Sequence, residues 1–138
     1  MRKMIHLVVK AAVTAAVLGL GPFLMASPAH AGGAAPDPKA CDDKANPPKD
    51  AVTQGGCIAI TRTKGNCMAC HEIAGTTYGN IAPALTNVAQ RWPDKAKLRA
   101  QIYDASKANP NTVMPPFGRN QILTPDEIDK VVDFVLSL

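Results

Sequence analysis

Residues 67–71 read Cys-Met-Ala-Cys-His, and this pentapeptide decides how the chain is read. Two thiols three positions apart, followed at once by an imidazole, form the attachment motif of a c-type haem. The spacing has a chemical reason. The thiols of Cys67 and Cys70 can each form a thioether to one vinyl group of a single haem, and the imidazole of His71 then lies under the iron. A thioredoxin-like dithiol would need a strand–helix–strand setting that the loop-forming neighbours do not supply. A structural zinc site would need four Cys or His ligands, and His71 is the one histidine beyond residue 31.

The remaining ligand follows by elimination. Beyond residue 31 the methionines are Met68, inside the motif itself, and Met114, which lies 43 residues past His71 in a proline-stiffened loop. A thioether is neutral and soft, favours ferrous iron and raises the reduction potential, which suits an electron carrier. The alternative is Met114 as a gap-filler of the core, with an open or lysine-ligated iron. If His71 uses Nε2 for the iron, its Nδ1–H needs an acceptor that fixes the ring. Pro83 is the candidate, since proline offers a carbonyl without a competing donor. Leu85 and Phe117 are apolar loop residues placed to wall the haem. Arg62, Arg91, Arg99 and Arg119 are each possible partners for its propionates, against the plain reading of solvated surface charge.

Around these residues the pattern is helical. Asp50 can cap a helix running to about Lys64, with Val52, Cys57, Ile58 and Ile60 as its apolar surface. The Gly55-Gly56 pair inside it either breaks the helix or permits a close backbone crossing, and the crossing is the preferred reading. Residues 71–91 read mostly as loop, with a short apolar stretch around Leu85 and Val88. Pro93 suits the first position of a helix to about Lys107, with Leu98, Ile102 and Ala105 on one face. Residues 112–123 cannot be helical through Pro115-Pro116. The last element is the clearest. Thr124 caps, Pro125 takes the first position and Glu127 completes a capping box, followed by Ile128, Val131, Val132 and Val135 at helical spacing.

The start of the chain concerns export. Arg2, Lys3 and Lys10 precede an uncharged run of sixteen residues from Ala11 to Ala26, and Ala29-His30-Ala31 offers a small-x-small cleavage site. This is the layout of a signal peptide over residues 1–31; the run is short for a membrane-spanning helix, which needs about 20 residues. Cleavage after Ala31 would leave 107 residues, enough for one domain, and no membrane span. Three of the 15 basic residues would leave with the leader, so 12 would face 11 acidic ones at a net charge of +1. The high calculated isoelectric point is therefore mostly a property of the leader, and nothing points to nucleic acid. Residues 32–49 carry Pro36, Pro38, Pro47 and Pro48 and read as an extended Pro-rich arm. In an oxidising compartment the two leftover cysteines, Cys41 and Cys57, are expected to pair and hold that arm to the first helix.

With these residues placed, the stretch from Gly65 to Leu138 resembles the SoxX family, the monohaem cytochrome c subunits of the SoxAX complex of bacterial sulfur oxidation. The resemblance rests on GNCMACH, on GNIAPALTNVAQRWPDKAKLRAQIYDA and on NPNTVMPPFGRNQILTPDEIDKVVDFV. It implies a cytochrome c fold with His71 and Met114 as axial ligands; together with the helical pattern, the expectation is an all-α, cytochrome c-like fold of three to four helices around one covalently bound haem c, over residues 50–138. It also implies a periplasmic heterodimer with a SoxA-like c-type cytochrome, and a role when thiosulfate is joined oxidatively to a cysteine of a SoxYZ-like carrier. In that family the substrate chemistry is assigned to the partner's haem, and the electrons pass onward to a downstream acceptor. Whether this chain counts as part of an enzyme thus depends on its partner, because it shows no activated nucleophile of its own. Two other readings stand beside it: a free-standing periplasmic electron carrier of another respiratory chain, and a small peroxidase or sensor with an open iron site.

Overall fold

The computed structural model describes residues 33–138, so the expected signal peptide lies outside the described residues. Among the described residues five α-helices follow one another: α1 at Pro38–Asp42, α2 at Ala51–Ile60, α3 at Val88–Arg91, α4 at Lys95–Tyr103 and α5 at Pro125–Leu136. Turns of 3-10 helix sit at Cys67–Ala69 and Ala105–Lys107, and among the described residues no β-strand forms. The all-α expectation holds, with three longer helices and two short ones.

Helices α2 and α5 cross at Gly55-Gly56. A Cβ on Gly55 would collide with the Lys130 backbone carbonyl, and one on Gly56 would sit 3.0 Å from the Phe134 ring and 2.6 Å from Cδ of Pro36. The glycines therefore do not break α2; they let two backbones touch. Asp50 caps α2, accepting from the Thr53 amide at 2.7 Å, but the helix stops at Ile60, short of the expected Lys64. In α5 the Thr124–Glu127 capping box is complete in both directions, and Ile128, Val131, Val132 and Phe134 are essentially inaccessible to solvent.

Two expectations need correction and one is refined. The stretch 32–49 is not wholly extended: Asp37 accepts from the Lys39 amide and Pro38 opens α1, because proline lacks only the amide hydrogen that a first helical residue leaves unused. Residues 71–91 contain α3, whose start is held by a Val88 amide donating to the Leu138 carbonyl at 3.2 Å. In α4 the cap is Asp94, which accepts from the amides of Ala96 and Lys97, so Pro93 lies outside the helix. That helix ends at Tyr103, where Asp104 turns aside and caps the Ala105–Lys107 turn through the Ser106 amide. The arm packs down as well as being tethered. The Ala35 amide donates to the Ala74 carbonyl at 2.8 Å, and Cys41 and Cys57 are joined by a disulfide with their Cα atoms 5.4 Å apart.

Candidate functional site

A short connection carries the chain from α2 into the Cys67–Ala69 turn. The Gly65 amide donates to Ile58 and the Asn66 amide to Thr61, while Asn66 itself adopts a left-handed conformation, φ 47°. From there the His71 amide closes one helical turn onto the Cys67 carbonyl at 2.9 Å. The segment 79–82 then folds back against the turn, with the Gly79 amide on the Met68 carbonyl and those of Ile81 and Ala82 both on Cys70. Gly79 is required here, since a side chain would run into the Ala69 carbonyl. This return brings Pro83 to the imidazole, and His71 Nδ1 lies 2.6 Å from the Pro83 carbonyl oxygen. A carbonyl oxygen only accepts, so the proton sits on Nδ1 and the lone pair on Nε2.

Cys67, Cys70, His71, Pro83, Leu85, Met114 and Phe117 all border one cavity of about 530 Å³. That volume falls in the range of small-molecule and cofactor sites. Of the four arginines considered, Arg62 and Arg91 line this cavity. Arg91 is also held by the Ala84 and Thr86 carbonyls. Arg99 instead pairs with Asp129 and Arg119 with Asp104, and neither lines the cavity. Sequence reasoning did not single out Val88, Trp92, Leu98, Ile102 or Leu123 as walls. The helical spacing of Leu98 and Ile102 marks them as inward-facing, but not what they face.

The donor set suits haem. It offers two thiols on one turn, an imidazole with its free nitrogen on Nε2, a thioether, an apolar enclosure and two guanidinium groups at the rim. Burial pushes the Cys67 thiol up to about 11, the opposite of the lowered value an exchange-active dithiol needs. Among the described residues no group of three His, Cys, Asp or Glu side chains could hold a bare metal ion.

Comparison with known proteins agrees with this site. The family model described as cytochrome c matches residues 60–138. A curated protein of Aquifex aeolicus called an uncharacterized lipoprotein is 34% identical over 74 residues, covering 52% of this chain and 36% of that protein. The cbb3-type cytochrome c oxidase subunit CcoP of an Azospirillum species is 34% identical over 84 residues, covering 53% and 27%. The chain thus spans about a third or less of the length of these curated relatives. Among solved structures, a chain of the SoxXA crystal structure from P. pantotrophus superposes with a TM-score of 0.56 at 27% identity, covering 67% of this chain and 84% of that one.

Proposed function

The chain belongs to the cytochrome c family, a covalent haem c carrier whose work is electron transfer, and from that premise we propose that it is the SoxX-like subunit of a periplasmic thiosulfate-oxidising complex. The observation that carries the reading is the likeness to the SoxXA chain, which extends over 84% of that chain, well past the attachment motif that every c-type cytochrome shares.

Haem c bound in the cavity supplies a one-electron couple. Cys67 and Cys70 would hold it through thioethers, His71 Nε2 and the Met114 sulfur would ligate its iron, and Arg62 and Arg91 would pair with its propionates. The Pro83 carbonyl fixes the His71 ring and makes the imidazole a stronger donor. The apolar walls, Leu85 and Phe117 among them, keep water out. A neutral thioether ligand in a dry surround would favour the reduced state, so the chain would accept electrons readily.

Joining thiosulfate to a carrier thiol forms one S–S bond and releases one proton and two electrons. The substrate chemistry belongs to a SoxA-like partner, and this chain takes the two electrons one at a time toward an acceptor. Residues 1–31 serve as the export signal and are removed.

Tagged protein recovered from cells grown on thiosulfate should bring down a larger c-type cytochrome in one-to-one ratio, identified by mass spectrometry. Recovery of the haem-loaded chain alone would end the sulfur-oxidation reading and leave the free-standing carrier.

A further inference from the structure

Among the described residues, the backbone hydrogen bonds of the loop bearing Met114 join it to the rest of the fold at one corner. Met114 donates its amide to Thr112 Oγ1 at 3.1 Å, Pro115 and Pro116 have no amide hydrogen to donate, and the amides of residues 120–123 are spent on carbonyls inside the loop. Among the described residues, the backbone hydrogen bonds that leave residues 113–123 are those of Gly118 and Arg119, both to the Tyr103 carbonyl, at 3.0 and 3.4 Å. Gly118 lies so close to the Tyr103 ring that a side chain there would enter it. Next along the chain, Asp104 is 4% exposed. Its carboxylate accepts from the Ser106 hydroxyl at 2.5 Å and from Arg119 Nη1 at 3.2 Å, and Arg119 Nη1 also reaches Ser106 Oγ at 3.1 Å.

We propose that Tyr103-Asp104 with Ser106 is a latch, and that Arg119 is the positioning residue that closes it and holds Met114 at the cavity. This rests on the reading of Met114 as the axial ligand. The loop's apolar anchors, Phe117 and Leu123, are buried in the core, and Gly118 and Arg119 lie between them. The latch adds a polar hold on that stretch at the end of α4, and so sets the point from which residues 113–116 run back to the cavity. A thioether is a neutral, displaceable ligand, and a loop held by few bonds opens locally without global unfolding. The bond from Arg119 to a buried carboxylate is charge-assisted, the class whose loss is felt most.

The test is imidazole binding to the ferric holoprotein, followed by its absorption spectrum. Arg119→Ala should bind imidazole about tenfold more tightly, the factor that loss of one such bond represents. Arg119→Lys, which keeps the charge, should fall between that variant and the wild type. Gly118→Ala, which pushes the loop off the Tyr103 ring, should also bind more tightly and offers a second route should Arg119→Ala fold poorly. Arg99→Ala removes an ion pair of α4 that touches neither loop nor cavity, and should leave imidazole affinity unchanged. The latch is refuted if Arg119→Ala and Gly118→Ala keep wild-type affinity while losing thermal stability, or if Arg99→Ala matches Arg119→Ala. Met114→Ala provides the reference: wild-type spectrum and affinity there would remove Met114 from the iron and take the latch with it, an outcome distinct from failure of the latch alone.

Discussion

Nδ1 of His71 donates its proton to the Pro83 carbonyl across 2.6 Å, so the ring is oriented by a main-chain atom that no side-chain substitution deletes. Pro83→Ala keeps that oxygen and restores backbone freedom to the unfolded chain. The expected result is an unchanged haem spectrum with a loss of about 0.4–1 kcal/mol, read as a small fall in the thermal midpoint. A changed spectrum would mean that proline's ring, and not its carbonyl, governs the imidazole.

Met114 borders the same cavity as His71, Cys67 and Cys70. Met114→Ala or Met114→His should leave haem attached while lowering the reduction potential, because a neutral soft donor that favours ferrous iron is lost. Potentiometric titration checks this, and an unaltered potential would take Met114 out of the ligand set. By contrast, Cys67→Ala combined with Cys70→Ala should abolish covalent attachment, seen as loss of the haem mass from the denatured protein.

At Gly55 two effects of opposite sign compete. Alanine is the better helix former by about 1 kcal/mol, yet here its methyl group would strike the Lys130 carbonyl of α5. Overpacking against backbone costs about 1–3 kcal/mol, so Gly55→Ala should be net destabilising. Urea unfolding decides it, and a higher midpoint in the variant would show that the helices part without cost.

How far the sequence foretold this molecule depends on the range of the signal. The Thr124 capping box and the Cys67–His71 turn are complete within four or five residues, and both could be read directly. Helix α3 could not, since four residues are barely one turn and its cap, Asn87, acts through a left-handed backbone rather than a side-chain bond. Pro38 is ambiguous in the sequence, because proline opens helices as readily as it ends them. Gly55-Gly56 allowed two readings until α5 was set against α2. The choice among four arginines is tertiary: Arg99 and Arg119 find acidic partners 30 and 15 positions away along the chain. The Tyr103-Asp104 corner left no mark in the sequence pattern, where Asp104 looked like one more residue of a longer helix.

The disulfide and the haem site are separable. Among the described residues none before Arg62 lines the cavity, while Cys41 and Cys57 tie α1 to α2 across 16 positions. Replacing both by serine should cost about 3 kcal/mol through the entropy of the opened chain, lowering the thermal midpoint by roughly 10 °C or more. The absorption spectrum should stay as it was. A spectral change would show that the arm, through Ala35 and Ala74, acts on the His71 loop.

Acid should weaken the Tyr103-Asp104 corner. The Ser106 hydroxyl, with Arg119 beside it, holds the Asp104 carboxyl below the usual carboxylate range, and the Lys64 ammonium with the Thr124 amide does the same for Glu127. A carboxylate whose folded value is depressed stabilises the fold in full above its unfolded value, about 3.9 for aspartate, and loses that contribution as pH falls through the folded value. Denaturant unfolding of the holoprotein from pH 7 down to about 2 should therefore show stability falling below about pH 4. Asp104→Asn cannot titrate at this position. It should be less stable at pH 7, with a shallower acid limb whose remaining slope includes the share of Glu127. Acid limbs of equal slope in the two proteins would mean that the Asp104 carboxylate gains nothing from Ser106 and Arg119 in solution.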